Sequence, residues 1–471
     1  MTDKPLTIAE LERWIEDRLQ AAGTPGAAVI LERRGEPLLA RGFGYRDVAA
    51  GLAADVDTVF GSGSVTKSVT ALAILLLEED GRLSTDDAVV AHLPQLRLPG
   101  DDAAAITLHH LLTHTSGLPP LPSRHYAWLS QDNLEPSERK ALEQLPPRSP
   151  IRSFAELIDF LGERRFTRHA PAGAQFSYSN EGYNLLGAVV ERVSGQPLAT
   201  FVRDRILAPC GMSRSSLDLR FTLSLDNVTT LYVTENGETR PSANWFDPAC
   251  WIAAGGLRTT AADLARFFRM LAQDGALGGV RIASPQSVRK MTTGYAPTHD
   301  GGAYGYGLSV SSLAGHALAH HGGGHKGVSS MGGFDAGEDL VCVVLTNLAG
   351  APAPAIWAAC VRTALGLPVG PLAPPAQPIT LPLETLRSFC GAYRSGEGAN
   401  FTVTVDAAGA AFVSMGELTA PAHPTAEDAI AFTAPGGRQT LRFLRLGAGP
   451  AITHAFHGGR LIKRRAAAPT R

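Results

Sequence analysis

Cysteine is scarce in this chain. Five residues among 471 (Cys210, Cys250, Cys342, Cys360 and Cys390) are odd in number and widely scattered, with no CxxC pair. That excludes a disulfide-stapled scaffold and the usual zinc spacings, and free thiols, mostly in the core, are expected. Charge is sparse too: 18% of residues, with a formal net charge of −2 and one basic cluster, Lys463-Arg464-Arg465. A polyanion partner needs a clustered basic footprint, so no nucleic-acid partner is expected and the basic run reads as a solvated tail. No apolar run reaches the ~18–20 residues that a membrane span requires. The N-terminus also lacks the basic start and unbroken apolar core of a signal peptide. No membrane partner is therefore expected, and the expected localisation is cytoplasmic. Apolar residues are plentiful at 44%, ample for a large core, and the length calls for two or three structural units.

Ile8, Leu11, Trp14, Ile15 and Leu19 recur at helical spacing behind a capping box of Thr7 and Glu10. Two strands are expected over 27–34 and 37–45. A helix beginning at Ser64 and ending near Gly81 is apolar around nearly its whole circumference, so it should be buried on all sides. From about 86 to 250 the pattern is one of helices and loops, with a polar, Pro-rich stretch over 119–150. Thr260 and Asp263 resemble a capping box for a helix over 260–271. Strands over 306–310, 328–334 and 340–346 and a helix over 355–364 follow. Strands at both ends of a helical middle define an α/β body with an inserted helical subdomain. Five prolines between 367 and 380 form a stiff linker. Beyond it, short segments over 401–405, 411–413, 430–432, 441–446 and 451–456 read as strands. The expected division is a body over 1–366, with its helical insert at roughly 86–250, a linker over 367–380 and an all-β domain over 381–465.

Three motifs carry chemistry. In Ser64-Val65-Thr66-Lys67, residues three apart share a helical face, so the lysine amine can reach the serine hydroxyl. A hydroxyl becomes a good nucleophile only when a base takes its proton, and lysine serves once burial lowers its pKa. The helix N-terminus also favours developing negative charge. In Tyr178-Ser179-Asn180 a phenol can relay a proton and an amide can both donate and accept. In His321-Gly322-Gly323-Gly324 consecutive glycines lead into a following strand, where a substrate backbone can approach closely and an N–H faces a developing oxyanion. Gly322 to Gly327 also matches GxGxxG, but a dinucleotide site needs a helix to follow, and here a strand does. His320, His321 and His325 lack a carboxylate partner that would mark a metal site.

Together and in this order, Ser64–Lys67, Tyr178–Asn180 and His321–Gly323 resemble the three active-site motifs of the penicillin-recognising serine hydrolases. The class C β-lactamase-related branch is the nearest likeness; it includes D-amino-acid peptidases and amidases, DD-carboxypeptidases, esterases and transacylases. The segments 106–118, 253–264 and 304–308 agree, and the resemblance covers roughly 8–364. It implies a β-lactamase/transpeptidase-like fold, an antiparallel sheet flanked by helices with an inserted helical subdomain. The C-terminal part resembles a lipocalin-like β domain.

The resemblance further implies that Ser64 forms an acyl-enzyme, that Lys67 and Tyr178 share the proton transfers and that Asn180 contacts the substrate amide and Lys67. The backbone N–H groups of Ser64 and Gly324 would form the oxyanion hole. His321 stands where many relatives carry lysine, and Gly322 where many carry threonine or serine. A switchable histidine replaces a fixed cation, so β-lactam breakdown is not the expected main activity. His114 receives no catalytic role, and Trp245 and Trp251 either line the pocket or fill core. The 119–150 stretch is longer than a tight connection needs and either forms a lid over the acyl pocket or is a disordered surface loop.

The expected protein is a serine hydrolase needing no metal or organic cofactor, acting on a small amide, ester or peptide, D-amino-acid-containing ones included. One rival is an acyltransferase or penicillin-binding-protein-type thioesterase-cyclase that passes the acyl group to an amine or alcohol. Another is a sensor that is acylated but never turns over.

Overall fold

The computed structural model describes residues 4–465 except 100–102, 164–165, 248, 300, 373–374 and 435–436. The body is built on a nine-stranded sheet whose neighbouring strands all pair antiparallel. The early strands Gly26–Arg33 and Glu36–Asp47 join it beside the late strand Leu340–Thr346, with Ala27 opposite Thr346 and Arg33 opposite Leu340. Chain ends far apart in sequence thus meet in mid-sheet. One face is covered by the Ile8–Ala21 and Ala353–Ala364 helices, through Leu11, Ile15, Trp357 and Val361. The other face packs on the Ala261–Ala272 helix and the helical middle of the chain.

The Thr7–Glu10 box closes as expected, each side chain bonded to the other's backbone. Thr260 caps its helix, but only half of a box forms there. Asp263 turns away to accept from Ser215 Oγ and Arg214 N.

The buried helix starts slightly later than its sequence suggests. Gly63–Val65 is a 3-10 turn that leads into an α-helix over Thr66–Glu79, in which Val69 through Leu77 are all buried. Trimming one of its leucines to alanine would open a cavity costing about 2–5 kcal/mol. The 119–150 segment is folded, with short helices over Ser123–Trp128 and Pro136–Glu143. Buried Glu135 accepts from Ser242 Oγ, Ala243 N and Arg240, each at 2.8 Å, and Lys326 pairs with Glu138 at 3.1 Å. These bonds exclude the disordered-loop reading. The helical middle also contains an unforeseen hairpin, Tyr232–Glu235 with Glu238–Pro241, turning at Asn236-Gly237 with φ of 52° and 82°.

The C-terminal part is a closed antiparallel barrel of eight strands. Five segments were foreseen, and the missed strands are Gly391–Arg394, Leu418–Ala426 and Arg460–Arg464. Pro421 and Pro424 hid the second of these, and its ladder shifts register between Pro424 and Ala426. The basic run is not a solvated tail: Lys463 and Arg464 pair with Arg394 and Tyr393 to close the barrel. No helix among the described residues is long and apolar enough to cross a membrane. All five cysteines are free, and four are buried.

Candidate active site

Ser64 sits in the 3-10 turn because Gly63 takes φ +52°, a conformation that favours glycine. A Cβ on Gly63 would lie 2.8 Å from Gly324 N. The glycine strand, His316–His325, therefore runs directly against the turn. The three glycines lie inside this strand rather than ahead of it, as had been expected. Ser330 Oγ, on the neighbouring strand, donates to Ser62 O at 2.7 Å and ties that turn to the sheet. Gly324 is exposed at the cleft mouth, while His321 is buried.

Lys67 is fully buried one helical turn after Ser64, with Nζ 3.3 Å from Ser64 Oγ. Nζ also donates to Asn180 Oδ1 and to Ala254 O, each at 2.7 Å. Burial holds the amine well below its ordinary pKa, with Arg460 adding to the effect and Glu397 and Glu181 opposing it. A neutral amine has two protons and one lone pair. With both protons directed to Asn180 and Ala254, the lone pair is left for the Ser64 hydroxyl.

Asn180 opens the Asn180–Ser194 helix, capped by Ser179. Tyr178 lies just before it, with its ring centroid 4.8 Å from Lys67 Nζ. Burial raises its phenol pKa, against a hydrogen-bond interaction with Ser64. Behind Tyr178 stands buried His114, ring centroids 4.2 Å apart. His114 Nδ1 accepts from Ser179 N at 3.1 Å, so this histidine braces the motif backbone.

His321 Nδ1 lies 2.6 Å from Gly322 O, which can only accept, so Nδ1 carries the proton. Nε2 then accepts from Tyr304 OH at 2.8 Å. Burial, with Lys67 nearby, lowers the His321 pKa to about 3, so no cation stands at this position. The eight residues singled out in the sequence are thus gathered around one cleft. Of the tryptophans, Trp251 fills core, while the carbonyl of half-buried Trp245 holds Gln131 of the 119–150 segment.

Sequence reasoning missed what the barrel contributes. Glu397 Oε1 accepts from Asn180 Nδ2 at 3.1 Å, and its Oε2 is paired with Arg460. Arg460 lies over the Tyr178 ring at 4.8 Å. Backbone bonds seat the barrel: Tyr178 N donates to Gly459 O at 2.9 Å and Gly396 N to Pro120 O at 3.1 Å. Leu461 N donates to Ser177 Oγ at 3.2 Å. Gly458-Gly459 does signal a tight hairpin tip, but no sequence feature says where that tip docks. Glu181, next to Asn180, was also missed; it accepts from Ser123 Oγ at 2.5 Å. Burial, with the Glu397 carboxylate nearby, raises its pKa to about 7. Among the described residues, no group of three or more His, Cys, Asp or Glu side chains is placed to hold a metal ion.

A serine, a lysine whose pKa burial depresses, a phenol and a glycine strand thus come together on a β-lactamase-type fold. The beta-lactamase family model matches residues 11–361, and the chain belongs to that family. An uncharacterized Mycobacterium tuberculosis protein is 33% identical over 296 residues, 57% of this chain and 67% of its own. The octameric penicillin-binding protein homologue from Pyrococcus abyssi aligns with TM-score 0.69 and 28% identity over 97% of this chain and 100% of its own. A D-stereospecific amidohydrolase from Streptomyces sp. aligns with TM-score 0.59 and 25% identity over 73% of this chain and 95% of its own.

Proposed function

We propose that this protein is a serine hydrolase that cleaves a small amide, ester or peptide, D-amino-acid-containing ones included, through an acyl-Ser64 intermediate. The observation that carries this reading is the placement of Lys67, buried with Nζ 3.3 Å from Ser64 Oγ and held there by Asn180 Oδ1 and Ala254 O. In the proposed reaction Lys67 takes the Ser64 proton as Oγ attacks the substrate carbonyl. The N–H groups of Ser64 and Gly324 receive the oxyanion; losing one such donor typically costs ~10²–10³ in rate. Tyr178, protonated and in contact with Ser64, passes a proton to the leaving group and recovers one from Lys67, whose amine is then free to activate water for deacylation. Asn180 holds Lys67 and the substrate amide. Neutral His321 supplies no fixed positive charge on its wall of the cleft, which argues against β-lactams as the main substrates. The 119–150 segment serves as the lid of the acyl pocket. The D-stereospecific amidohydrolase among the structural neighbours supports the inclusion of D-amino-acid amides.

The test is turnover of p-nitrophenyl esters and D- and L-aminoacyl p-nitroanilides by wild type and Ser64→Ala, with intact mass followed during reaction. The expected result is turnover abolished in the variant and a transient acyl adduct on the wild type. A lasting adduct resolved only by added amine would make the protein an acyltransferase. No adduct with any probe would remove Ser64 from the chemistry.

A further inference from the structure

Glu181 is a buried carboxyl to which the proposed chemistry gives no part. It lies fully buried in the first turn of the Asn180–Ser194 helix, directly after the asparagine that holds Lys67. Taking a carboxyl out of water is costly, and the nearby Glu397 carboxylate adds to the cost. An apolar side chain would fill the same space at less cost. What Glu181 supplies is a bond out of its own helix: its Oε1 accepts from Ser123 Oγ at 2.5 Å, and Ser123 is fully buried too. Its other oxygen lies 3.4 Å from Ser179 Oγ, the cap of the helix.

Ser123 opens the short Ser123–Trp128 helix of the 119–150 segment. Three residues earlier the segment meets the barrel, where Gly396 N donates to Pro120 O at 3.1 Å. Further along, the segment is fixed on the glycine-strand side. There Glu138, in the Pro136–Glu143 helix, pairs at 3.1 Å with Lys326, the residue that follows the His316–His325 strand. Both side chains of that pair are buried. The segment is thus tied at one point to the Asn180 helix and at another to the end of the glycine strand, the two elements between which Ser64 lies. It spans the cleft as a strap, and Glu181 is its fastening on the Asn180 side.

We infer that Glu181 is a specificity-determining positioning residue: through Ser123 it holds the 119–150 segment against the Asn180 helix and so limits the length of acyl chain that Ser64 can take. This rests on the proposed Ser64 chemistry, with the segment as lid, and deepens it. Because Glu181 follows Asn180 directly, the lid is held in register with the residue that binds Lys67, and the room left for an acyl group is fixed from that point. Glutamine at this position keeps an acceptor for the serine hydroxyl, whereas alanine removes it.

Two esters of different length, p-nitrophenyl acetate and p-nitrophenyl octanoate, read this limit. Their kcat/KM values are measured on the full chain for wild type, Glu181→Gln, Glu181→Ala, Ser123→Ala, the Glu181→Ala/Ser123→Ala double variant and Ser64→Ala. Each variant is checked for folding by circular dichroism. The octanoate-to-acetate ratio is expected to rise about 10-fold over wild type in Glu181→Ala and in Ser123→Ala, the size of one buried hydrogen bond. The double variant should rise no further, because both changes break the same bond. Glu181→Gln should keep the wild-type ratio. If Glu181→Ala does not fold, Ser123→Ala decides, since it removes only a hydroxyl. An unchanged ratio in Ser123→Ala, with both esters affected equally or not at all, would overturn the Glu181 inference and leave the hydrolase reading standing. Rises that add in the double variant would overturn it equally. Turnover that persists in Ser64→Ala, or none of either ester by wild type, would overturn the Ser64 reading and this inference with it.

Discussion

Asn180 is bonded on both sides of its amide, its Oδ1 receiving Lys67 Nζ at 2.7 Å and its Nδ2 donating to Glu397 at 3.1 Å. One side chain thus connects the lysine beside the nucleophile to a carboxylate of the barrel. The orientation of this amide is fixed by its partners, since the carboxylate can only accept.

The Glu397–Arg460 pair should act on activity as well as on stability. Arg460→Ala leaves a buried carboxylate without its cation, and such losses cost about 3–5 kcal/mol. The expected outcome is a lowered melting temperature together with a reduced kcat, because Glu397, no longer held by Arg460, positions Asn180 less firmly. Removing both charges, as Glu397→Gln with Arg460→Met, should cost less than Arg460→Ala alone. A double-mutant cycle on thermal unfolding measures the difference.

Glu181 should make stability depend on pH. Its folded pKa, about 7, lies above the ordinary 4.5. The folded state therefore binds more protons than the unfolded state between those values, and stability must fall as pH rises through that window. Glu181→Gln keeps an acceptor for Ser123 and removes the titration. The variant should gain relative to wild type by an order of 3 kcal/mol between pH 4.5 and 7.5. Melting curves at several pH values check this; parallel curves for the two proteins would exclude it.

The acid limb of the activity profile should belong to Lys67 and not to His321. The amine must be neutral to act as base, and its pKa is depressed by burial, so activity falls on the acid side as Nζ is protonated. Burial holds the His321 pKa down to about 3, so its ring is already neutral above that pH. His321→Gln should therefore leave the position of the limb unchanged, whereas Lys67→Arg, a fixed cation, should lower kcat by about 10³. A limb that moves in His321→Gln would reassign it.

Gly323→Ala should damage the cleft without removing any polar side chain. The added methyl would lie 2.1 Å from Ser62 O and 2.4 Å from Ser330 Oγ, so the strand must retreat from the nucleophile turn. Oxyanion donors act only when placed, and the expected result is a kcat loss of about 10²-fold. Gly398→Ala, with open space around it but φ of +92°, controls for backbone strain alone.

The body of the fold was legible because its elements are local. The Thr7–Glu10 box, the apolar Thr66–Glu79 helix and the late strands follow from spacing and burial within short windows. Serine, lysine, tyrosine and asparagine could be picked out because three motifs recur in order, although about a hundred residues or more separate each from the next. Glu397 could not be, because its role depends on where a barrel docks, and nothing in Ser395-Gly396-Glu397-Gly398 distinguishes it from any solvated turn. The Leu418–Ala426 strand was hidden by prolines that an edge or bulge tolerates. Arg460–Arg464 was hidden by its charge, which lines the barrel's closing seam.

The bond from Tyr178 N to Gly459 O has a further consequence, one of order in time. Chains emerge from the ribosome from the N-terminus, so the body holding Ser64 and Lys67 can fold before the Gly458–Gly459 tip exists. Until the last strands close, Asn180 lacks the Glu397 carboxylate and Tyr178 the Arg460 guanidinium over its ring. The protein thus carries its nucleophile through synthesis in an unfinished setting, and completion of the barrel is also completion of the site.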